Sequence, residues 1–413
     1  MELSIVFASL MLYQSVSATN LATAAERFIL DAHTEAVSAT SATLRSPEIK
    51  GMNYWVEDIQ LRQSTEFTNS PFGRGASPTY QVRVTPKAWG QTQAEQAVLQ
   101  LRSEEQEVQH KQALNSALYR RYQLLVDLMA QYAAVQQLIN SFSLLNAEVQ
   151  ISRSLVGGRD FNTKLLETEV AVARTQGLIQ VGLQRLNFLR AQIGLPPDTE
   201  GQVIAQNRPD WFIDYPQIQE AMRLELDPQQ ILGVSETRLQ MERISLEDNV
   251  LKTKQRFGIA ALSADYTFSA NRSSNSAQIM LSLNIPLGAD NFKSIDNRYA
   301  LQEAQNAYAQ RLAADTYALR IMRLNMLQLL QEWDLTKVSL QKNTARLASN
   351  GAKTDPELAL TLRLEQSRQI KDQGDLEQKI MVTYVEYLYR SGLLAAQPLR
   401  NWIRRDSPAI AMN

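Results

Sequence analysis

Side chains able to do bond chemistry are few in this chain and far apart. Only two histidines, His33 and His110, occur in 413 residues, and there is no cysteine. A conventional zinc site needs clustered imidazoles and thiolates, and a thiol nucleophile needs a cysteine, so neither is available. Both histidines read as surface or coiled-coil residues. Gly157-Gly158-Arg159 places glycines beside a cation but is too short and wrongly flanked for a phosphate loop, and no Gly-x-Gly-x-x-Gly occurs. Catalytic, cofactor-binding and metal-ligating residues are therefore expected to be none, and the chain is not expected to be an enzyme. Trp55, Tyr80, Tyr266 and Phe268 could make an aromatic ligand platform, but they lie in segments that alternate apolar and polar residues, where a membrane-facing or girdle position suits them better.

With 42 basic against 43 acidic side chains there is no electrostatic footprint for nucleic acid. No uninterrupted apolar run is long enough to cross a bilayer as a helix. Leu3 to Tyr13, followed by Val16-Ser17-Ala18, reads as a signal peptide cut after Ala18, although only Glu2 and the amino terminus stand where a basic n-region belongs; the alternative is an ordinary first-helix turn. Zero cysteines suits an envelope protein that needs no disulfides and excludes a lipidated N-terminal cysteine. Membrane attachment must then come from strands.

Four segments have the strict period of two expected of a strand with lipid on one side and water on the other. The first sets Trp55, Ile59, Leu61, Thr65 and Phe67 against Asp58, Gln60, Arg62, Ser64 and Glu66, with Glu57 and Gln63 interrupting the apolar side. The second sets Tyr80, Val82 and Val84 against Thr79, Gln81, Arg83 and Thr85. The third sets Ala260, Leu262, Ala264, Tyr266 and Phe268 against Ser263, Asp265, Thr267 and Ser269, and the fourth sets Ile279, Leu281, Leu283 and Ile285 against Gln278, Ser282 and Asn284. The lipid face is thus expected at Trp55, Ile59, Leu61, Tyr80, Val82, Leu262, Tyr266, Phe268, Ile279, Leu281 and Leu283, with the polar side chains lining water. Turns expected at Asn69–Ser77 and Asn271–Ser276, rich in Asn, Ser, Gly and Pro, join these strands into two hairpins.

Long helices follow each hairpin. No proline interrupts about Ala88–Val156, on the order of 100 Å of helix and enough to cross a periplasm. Along it Leu125, Leu128, Tyr132, Val135, Ile139 and Phe142 keep three-four spacing, matched later by Leu319, Met322, Met326, Leu329, Trp333 and Leu340, so both helices ask for helical partners. The returning helices, about Asp160–Ile193 and Pro356–Leu394, are about half as long. Helices ahead of the hairpins, about Asn20–Leu44 and Pro228–Gln255, have the length to stack on them, with Asp227 capping and Pro228 opening the second. The two halves correspond: Pro86 and Pro286 end strands at an offset of 286 − 86 = 200, Gly157 and Gly351 interrupt helices at 351 − 157 = 194, and Arg190-Ala-Gln-Ile-Gly194-Leu195 has a counterpart in Arg390-Ser-Gly392-Leu393. One half reads as a copy of the other. The expected organisation is a signal peptide at 1–18, an N-terminal helix at 19–51 and a first barrel hairpin at 52–87. A long helix, turn and return helix follow at 88–195, then a connector at 196–216, a second-half helix at 217–256 and a second hairpin at 257–287. A second long helix, turn near 351 and return helix fill 288–394, and an equatorial tail 395–413.

The fold class is therefore mainly α with a membrane β-barrel part, internally duplicated. Four strands are too few to close a membrane barrel, since the smallest have about eight and open edges are not tolerated in lipid. Oligomerisation is required. The element order, the duplication, the strings Leu155-Val156-Gly157 and Ser282-Leu283-Asn284-Ile285-Pro286-Leu287, and the alanine-rich helix entry Ala300 to Ala309 resemble the TolC-like outer-membrane efflux protein family over nearly the whole chain. The resemblance implies a homotrimer in the bacterial outer membrane, with a shared 12-stranded barrel embedded in outer-membrane lipid and a coiled-coil helical barrel in the periplasm. It implies transport as the exit duct of tripartite efflux or type I secretion, with a periplasmic adaptor (membrane fusion) protein and an inner-membrane transporter as partners.

By the same resemblance, the tips that dock the adaptor fall at Leu155, Val156, Gly157, Gly158, Arg159 and Asp160 and at Asn350, Gly351, Ala352 and Lys353. Pore closure falls at Asp355, Glu357 and Leu360. One departure concerns the gate. Family members commonly carry an Asp-x-Leu-x-Asp-like pattern past the second turn; here the stretch reads Glu357-Leu358-Ala359-Leu360, and past the first turn Thr163-Lys164-Leu165 has no acid before Glu167. Closure is expected to depend on Leu360 or on ionic links among Arg159, Lys353 and Asp355. The alternative reading is a soluble or surface trimeric coiled-coil scaffold or stalk without transport activity.

Overall fold

The computed structural model describes residues 23–37, 55–70, 73–154, 159–197, 213–223, 228, 231–254, 258–268, 275–284, 291–349 and 356–404. A helix, α1, covers residues 23–37. It is followed by β1 (Val56–Ser70), β2 (Gly73–Pro86), α2 (Gln91–Ser154), α3 (Arg159–Gln192), α4 (Tyr215–Arg223) and α5 (Leu232–Lys254). Then come β3 (Gly258–Thr267), β4 (Ser276–Asn284), α6 (Asn291–Leu347), α7 (Pro356–Ser391) and α8 (Leu393–Ala396). The order of helix, hairpin, long helix and shorter helix occurs twice. The two long helices have 64 and 57 residues, about 96 Å and 86 Å of α-helix.

The chain divides into two compact units, one of residues 1–40, 110–232 and 314–413, the other of residues 41–109 and 233–313. In the first, helical rods pack through apolar seams. Leu118, Leu125, Leu128 and Val135 of α2, Leu186 of α3, Met326 of α6 and Ile380, Tyr384 and Leu388 of α7 are all buried, so removal of apolar surface from water drives their association. Polar contacts fix the order of the rods. Gln131 Nε2 of α2 donates to the Gly182 carbonyl of α3 (3.0 Å) and Gln137 Nε2 to the Ser367 carbonyl of α7 (2.9 Å), while Trp333 Nε1 of α6 donates to Glu377 of α7 (3.4 Å). The rods therefore run α3, α2, α7, α6. Tyr122 ties the C-terminal segment to α2: its hydroxyl donates to the Arg400 carbonyl (3.0 Å) and accepts from the Trp402 amide (3.3 Å). Burial pushes the Tyr122 and Tyr384 hydroxyls well above the usual phenol range.

Two left-handed glycines end helices here. Gly194 (φ 79°) closes α3 with its amide bonded to the Ala191 carbonyl (3.1 Å) and the Leu195 amide bonded to that of Arg190 (2.9 Å), the paired bonds of a Schellman end. Gly392 (φ 76°) stops α7 at Ser391, short of the Leu394 expected from sequence. The single helix expected over 217–256 is two helices, and Pro228 lies in a turn closed by the Ile231 amide to its carbonyl (3.3 Å) before α5 begins at Leu232.

The second unit holds one four-stranded antiparallel sheet in the order β1-β2-β3-β4, together with α5 and the beginnings of α2 and α6. Register is continuous across the sheet: Leu61 faces Val82, Val82 faces Ala264, and Ala264 faces Ile279. The β1–β2 ladder extends to Ser70↔Gly73, so most of the stretch expected as a turn, 69–77, is strand. Turn-forming composition misled there because pairing satisfies backbone groups whatever the side chains. Gly90 (φ 84°) redirects the chain from β2 into α2, and the Gln91 side chain accepts from the Ala88 amide (2.9 Å) across that bend.

Candidate functional site

With no cluster of catalytic groups in the sequence, the candidate site is a surface, and the sheet supplies it. All positions expected to face lipid, Trp55, Ile59, Leu61, Tyr80, Val82, Leu262, Tyr266, Phe268, Ile279, Leu281 and Leu283, are exposed in the single chain. Pairing brings them to one side in rows: Ile59, Val84, Leu262 and Leu281 form one, and Leu61, Val82, Ala264 and Ile279 the next. The opposite side carries Asp58 with Thr85, Gln60 with Arg83, Arg62 with Gln81, and Gln81 with Asp265 and Gln278. These groups bond to one another: Arg62 donates to Gln60 Oε1 (2.8 Å), Gln60 to Asp58 (2.6 Å), and the Thr79 and Thr267 hydroxyls lie 3.0 Å apart.

Exposure runs opposite to that of a water-soluble sheet. In β3 the apolar Leu262 is 45% exposed while its polar neighbour Ser263 is 7% exposed, and Ile279 in β4 reaches 78%. A soluble antiparallel sheet covers its apolar face with core and leaves its polar face open; here, in the central strands β2 and β3, the polar face is the more sheltered one.

Two details escaped the period-two reading. A register shift between Ile259 and Ala261 pairs Ile259 with Leu283, so Ile259 joins the apolar side where alternation assigned Ala260. Met280 pairs with Ser263 on the otherwise polar side. Alternation alone cannot register a bulge, and the Met280 side chain simply breaks the pattern.

Where helices meet the sheet there are two ion pairs. Lys87 Nζ bonds Glu95 Oε2 (2.6 Å) and Lys254 Nζ bonds Glu57 Oε1 (2.9 Å). Burial acts to raise the Glu95 carboxyl, but hydrogen bonds from Lys87 and Gln91 and the charges of Lys87 and Lys254 hold it below the usual carboxylate range. Trp89, 92% exposed, lies two residues past Lys87 and was not singled out from sequence; an unpacked tryptophan next to a strand end is the signal that marks it.

The glycine tips fall mostly outside the described residues: Leu155, Val156, Gly157 and Gly158, and Asn350, Gly351, Ala352, Lys353 and Asp355. Arg159 and Asp160 open α3, and Glu357 lies in the first turn of α7. Leu360 is buried inside its own chain. The two helix pairs leading to the tips are fastened differently. Toward the tips, Arg153 of α2 pairs with Glu169 of α3 (2.8 Å), whereas the last turns of α6 meet α7 through neutral groups, Asn343 Nδ2 to the Leu362 carbonyl (3.3 Å) and Gln366 Nε2 to Thr344 Oγ1 (3.1 Å). Sequence reading found none of these amide links, because a polar residue on a helix carries no mark of its partner.

No protein-family model and no curated protein sequence matches the chain. Solved structures do. The outer membrane protein VceC of Vibrio cholerae aligns with 91% of this chain and 96% of its own at 13% identity and a TM-score of 0.52. The CmeC outer membrane channel of Campylobacter jejuni aligns with 89% of this chain and 82% of its own at 11% identity and 0.53. The MtrE outer membrane channel of Neisseria gonorrhoeae, in its open state, aligns with 90% of this chain and 88% of its own at 11% identity and 0.52. At such identity the likeness is one of backbone, extending over helices and strands alike, and the chain has the TolC-like outer-membrane channel fold.

Proposed function

We propose that three copies of this chain form a passive efflux duct: one shared 12-stranded barrel in the outer membrane and a helical conduit in the periplasm. A periplasmic adaptor and an inner-membrane transporter complete the pathway. The observation that carries this reading is the inverted sheet with two open edges. Among the described residues no strand pairs with the outer edge of β1 or of β4. An unpaired edge is excluded from hydrocarbon, because each bare N–H and C=O there costs several kcal/mol. β4 of one copy joined to β1 of the next repeats a head-to-tail contact that closes into a ring.

The helical unit supports the same closure. Leu166, Val170, Leu178, Val181 and Phe188 of α3 and Tyr317, Ile321, Leu324, Leu335 and Val338 of α6 are exposed apolar residues on the first and last rods of the row, the two that a neighbouring copy would bring together. Energy for transport comes from the inner-membrane partner, and the chain supplies a water-lined path and its gate. The tip glycines dock the adaptor, with Arg159, Lys353, Asp355 and Glu357 as the ionic closure and Leu360 packing α7 within its own chain.

Because the chain has no cysteine, engineered thiols report cleanly. Ile279→Cys combined in turn with Ile59→Cys, Leu61→Cys or Gln63→Cys should trap covalent dimers and trimers at one β1 position and not at its neighbours, and native mass spectrometry in detergent should give a trimer. A stable inserted monomer with no cross-link at any position would refute the shared barrel, and a trimer that does not insert into membranes would leave the soluble stalk.

A further inference from the structure

We propose that Tyr384, Arg400 and Trp402 hold a small inorganic anion of halide size inside the helical unit, where the C-terminal segment lies beside α2 and α7. The proposal is independent of the duct reading, since every residue in it belongs to that one unit. Eight buried side-chain polar atoms among the described residues have no hydrogen-bond partner, and three of them, Tyr384 Oη, Arg400 Nε and Trp402 Nε1, occur in this one cluster. The other five fall on five different elements, one each on α1, α2, α5, β3 and α6. Contacts tie the cluster together. The Arg400 guanidinium lies over the Trp402 ring, 4.2 Å from its centroid, and the Tyr122 hydroxyl bridges the Arg400 carbonyl (3.0 Å) and the Trp402 amide (3.3 Å). Burial pushes the Tyr384 hydroxyl up, and the charge of Arg400 and the Tyr122 hydroxyl act on it as well.

Chemistry selects the ligand. All three atoms carry a hydrogen: indole and guanidinium groups only donate, and the phenol O–H donates too. Tyr384 is 0% exposed and Trp402 1%, so neither turns to bulk water, and a donor buried without an acceptor keeps the whole cost of its desolvation. Charge points the same way. Arg400 donates to the neutral Gln397 Oε1 (3.4 Å) and forms no ion pair among the described residues, while the neighbouring Arg404 takes Glu26. A partly buried cation is stabilised by an anion beside it. A water molecule accepts two hydrogen bonds and brings no charge, so it leaves one hydrogen and the guanidinium unanswered. A halide answers all three, and so deep a position favours a monatomic anion over an organic acid.

Thermal melts of the full-length protein in detergent test this, with sodium gluconate exchanged stepwise for sodium chloride at constant ionic strength. The wild type should melt about 1–3 °C higher in chloride, along a curve that saturates as a site fills. Tyr384→Phe and Trp402→Phe each remove one donor and keep an aromatic ring, and each should flatten that curve. Wild-type crystals grown in bromide should show an anomalous-scattering peak bounded by Tyr384, Arg400 and Trp402, a readout that does not depend on any variant folding. A linear or absent chloride dependence, a saturating rise that survives both substitutions, or the lack of a bromide peak at that place overturns the proposal.

Discussion

A methyl group added at Gly182 has nowhere to go. Its Cβ would lie 2.8 Å from Val135 Cγ2 and 3.4 Å from Gln131 Nε2, where α3 meets α2, whereas a Cβ at Gly177 on the same helix meets nothing within 4 Å. Gly182→Ala should destabilise the protein by about 1–3 kcal/mol through overpacking. Gly177→Ala should stabilise it by up to about 1 kcal/mol, since glycine costs a helix that much relative to alanine. Thermal melts of the two variants, scored by near-UV circular dichroism, should shift in opposite directions, and a common direction would mean that the α2–α3 approach is wrong. Both glycines look alike in the sequence, because the difference lies in which residue of a distant helix stands opposite. Gly194 and Gly392, by contrast, announced themselves by recurring after Arg190 and Arg390, and both hold the left-handed conformation that ends a helix.

Strands give their faces away in a way that helix packing does not. Alternation placed Leu281 and Ser282 on opposite sides, and pairing of Leu281 with Leu262 and of Ser282 with Ala261 keeps them there. Leu281→Arg should therefore cost roughly 2–4 kcal/mol of insertion stability near the bilayer midplane, while Ser282→Arg should be tolerated. Equal yields of folded trimer in an outer-membrane assembly assay would contradict the facing. The bulge at Ile259 and the long β1–β2 ladder were illegible for the opposite reason, since both are decided by backbone pairing and leave no side-chain period to read. At the strand–helix bend, the Glu95 carboxyl is held below its ordinary value of 4.5. Its contribution is complete above that value and is lost as the pH falls through the depressed one. Glu95→Gln should lower the melting temperature at neutral pH and cease to matter in acid; a difference that persists in acid would point to packing instead of charge.

At the scale of the whole assembly, the tips carry the functional prediction. Gly157→Val or Gly351→Val would penalise any positive φ at those turns, so such variants should still form trimers in the outer membrane yet fail to support efflux by the cognate pump. Lys353→Ala with Glu357→Ala should raise single-channel conductance in planar bilayers by removing the ionic closure proposed for the tips. Normal efflux in the valine variants together with unchanged conductance would make the turns simple connectors. The overall architecture was legible because length and period are averaged over many residues: two uninterrupted helices and four alternating segments survive local errors of a few positions. The seams between rods were legible only in part, since Leu125, Leu128 and Met326 are buried as their spacing required, while Ile139 on the same stripe is exposed. The open edges of β1 and β4 also have a genetic consequence. Every subunit of a head-to-tail ring takes part in two seams, so a chain damaged at either edge spoils the assemblies it enters. In cells making both forms of the proposed trimer, intact ducts should fall as the cube of the undamaged fraction, and an edge mutation would behave as a dominant one.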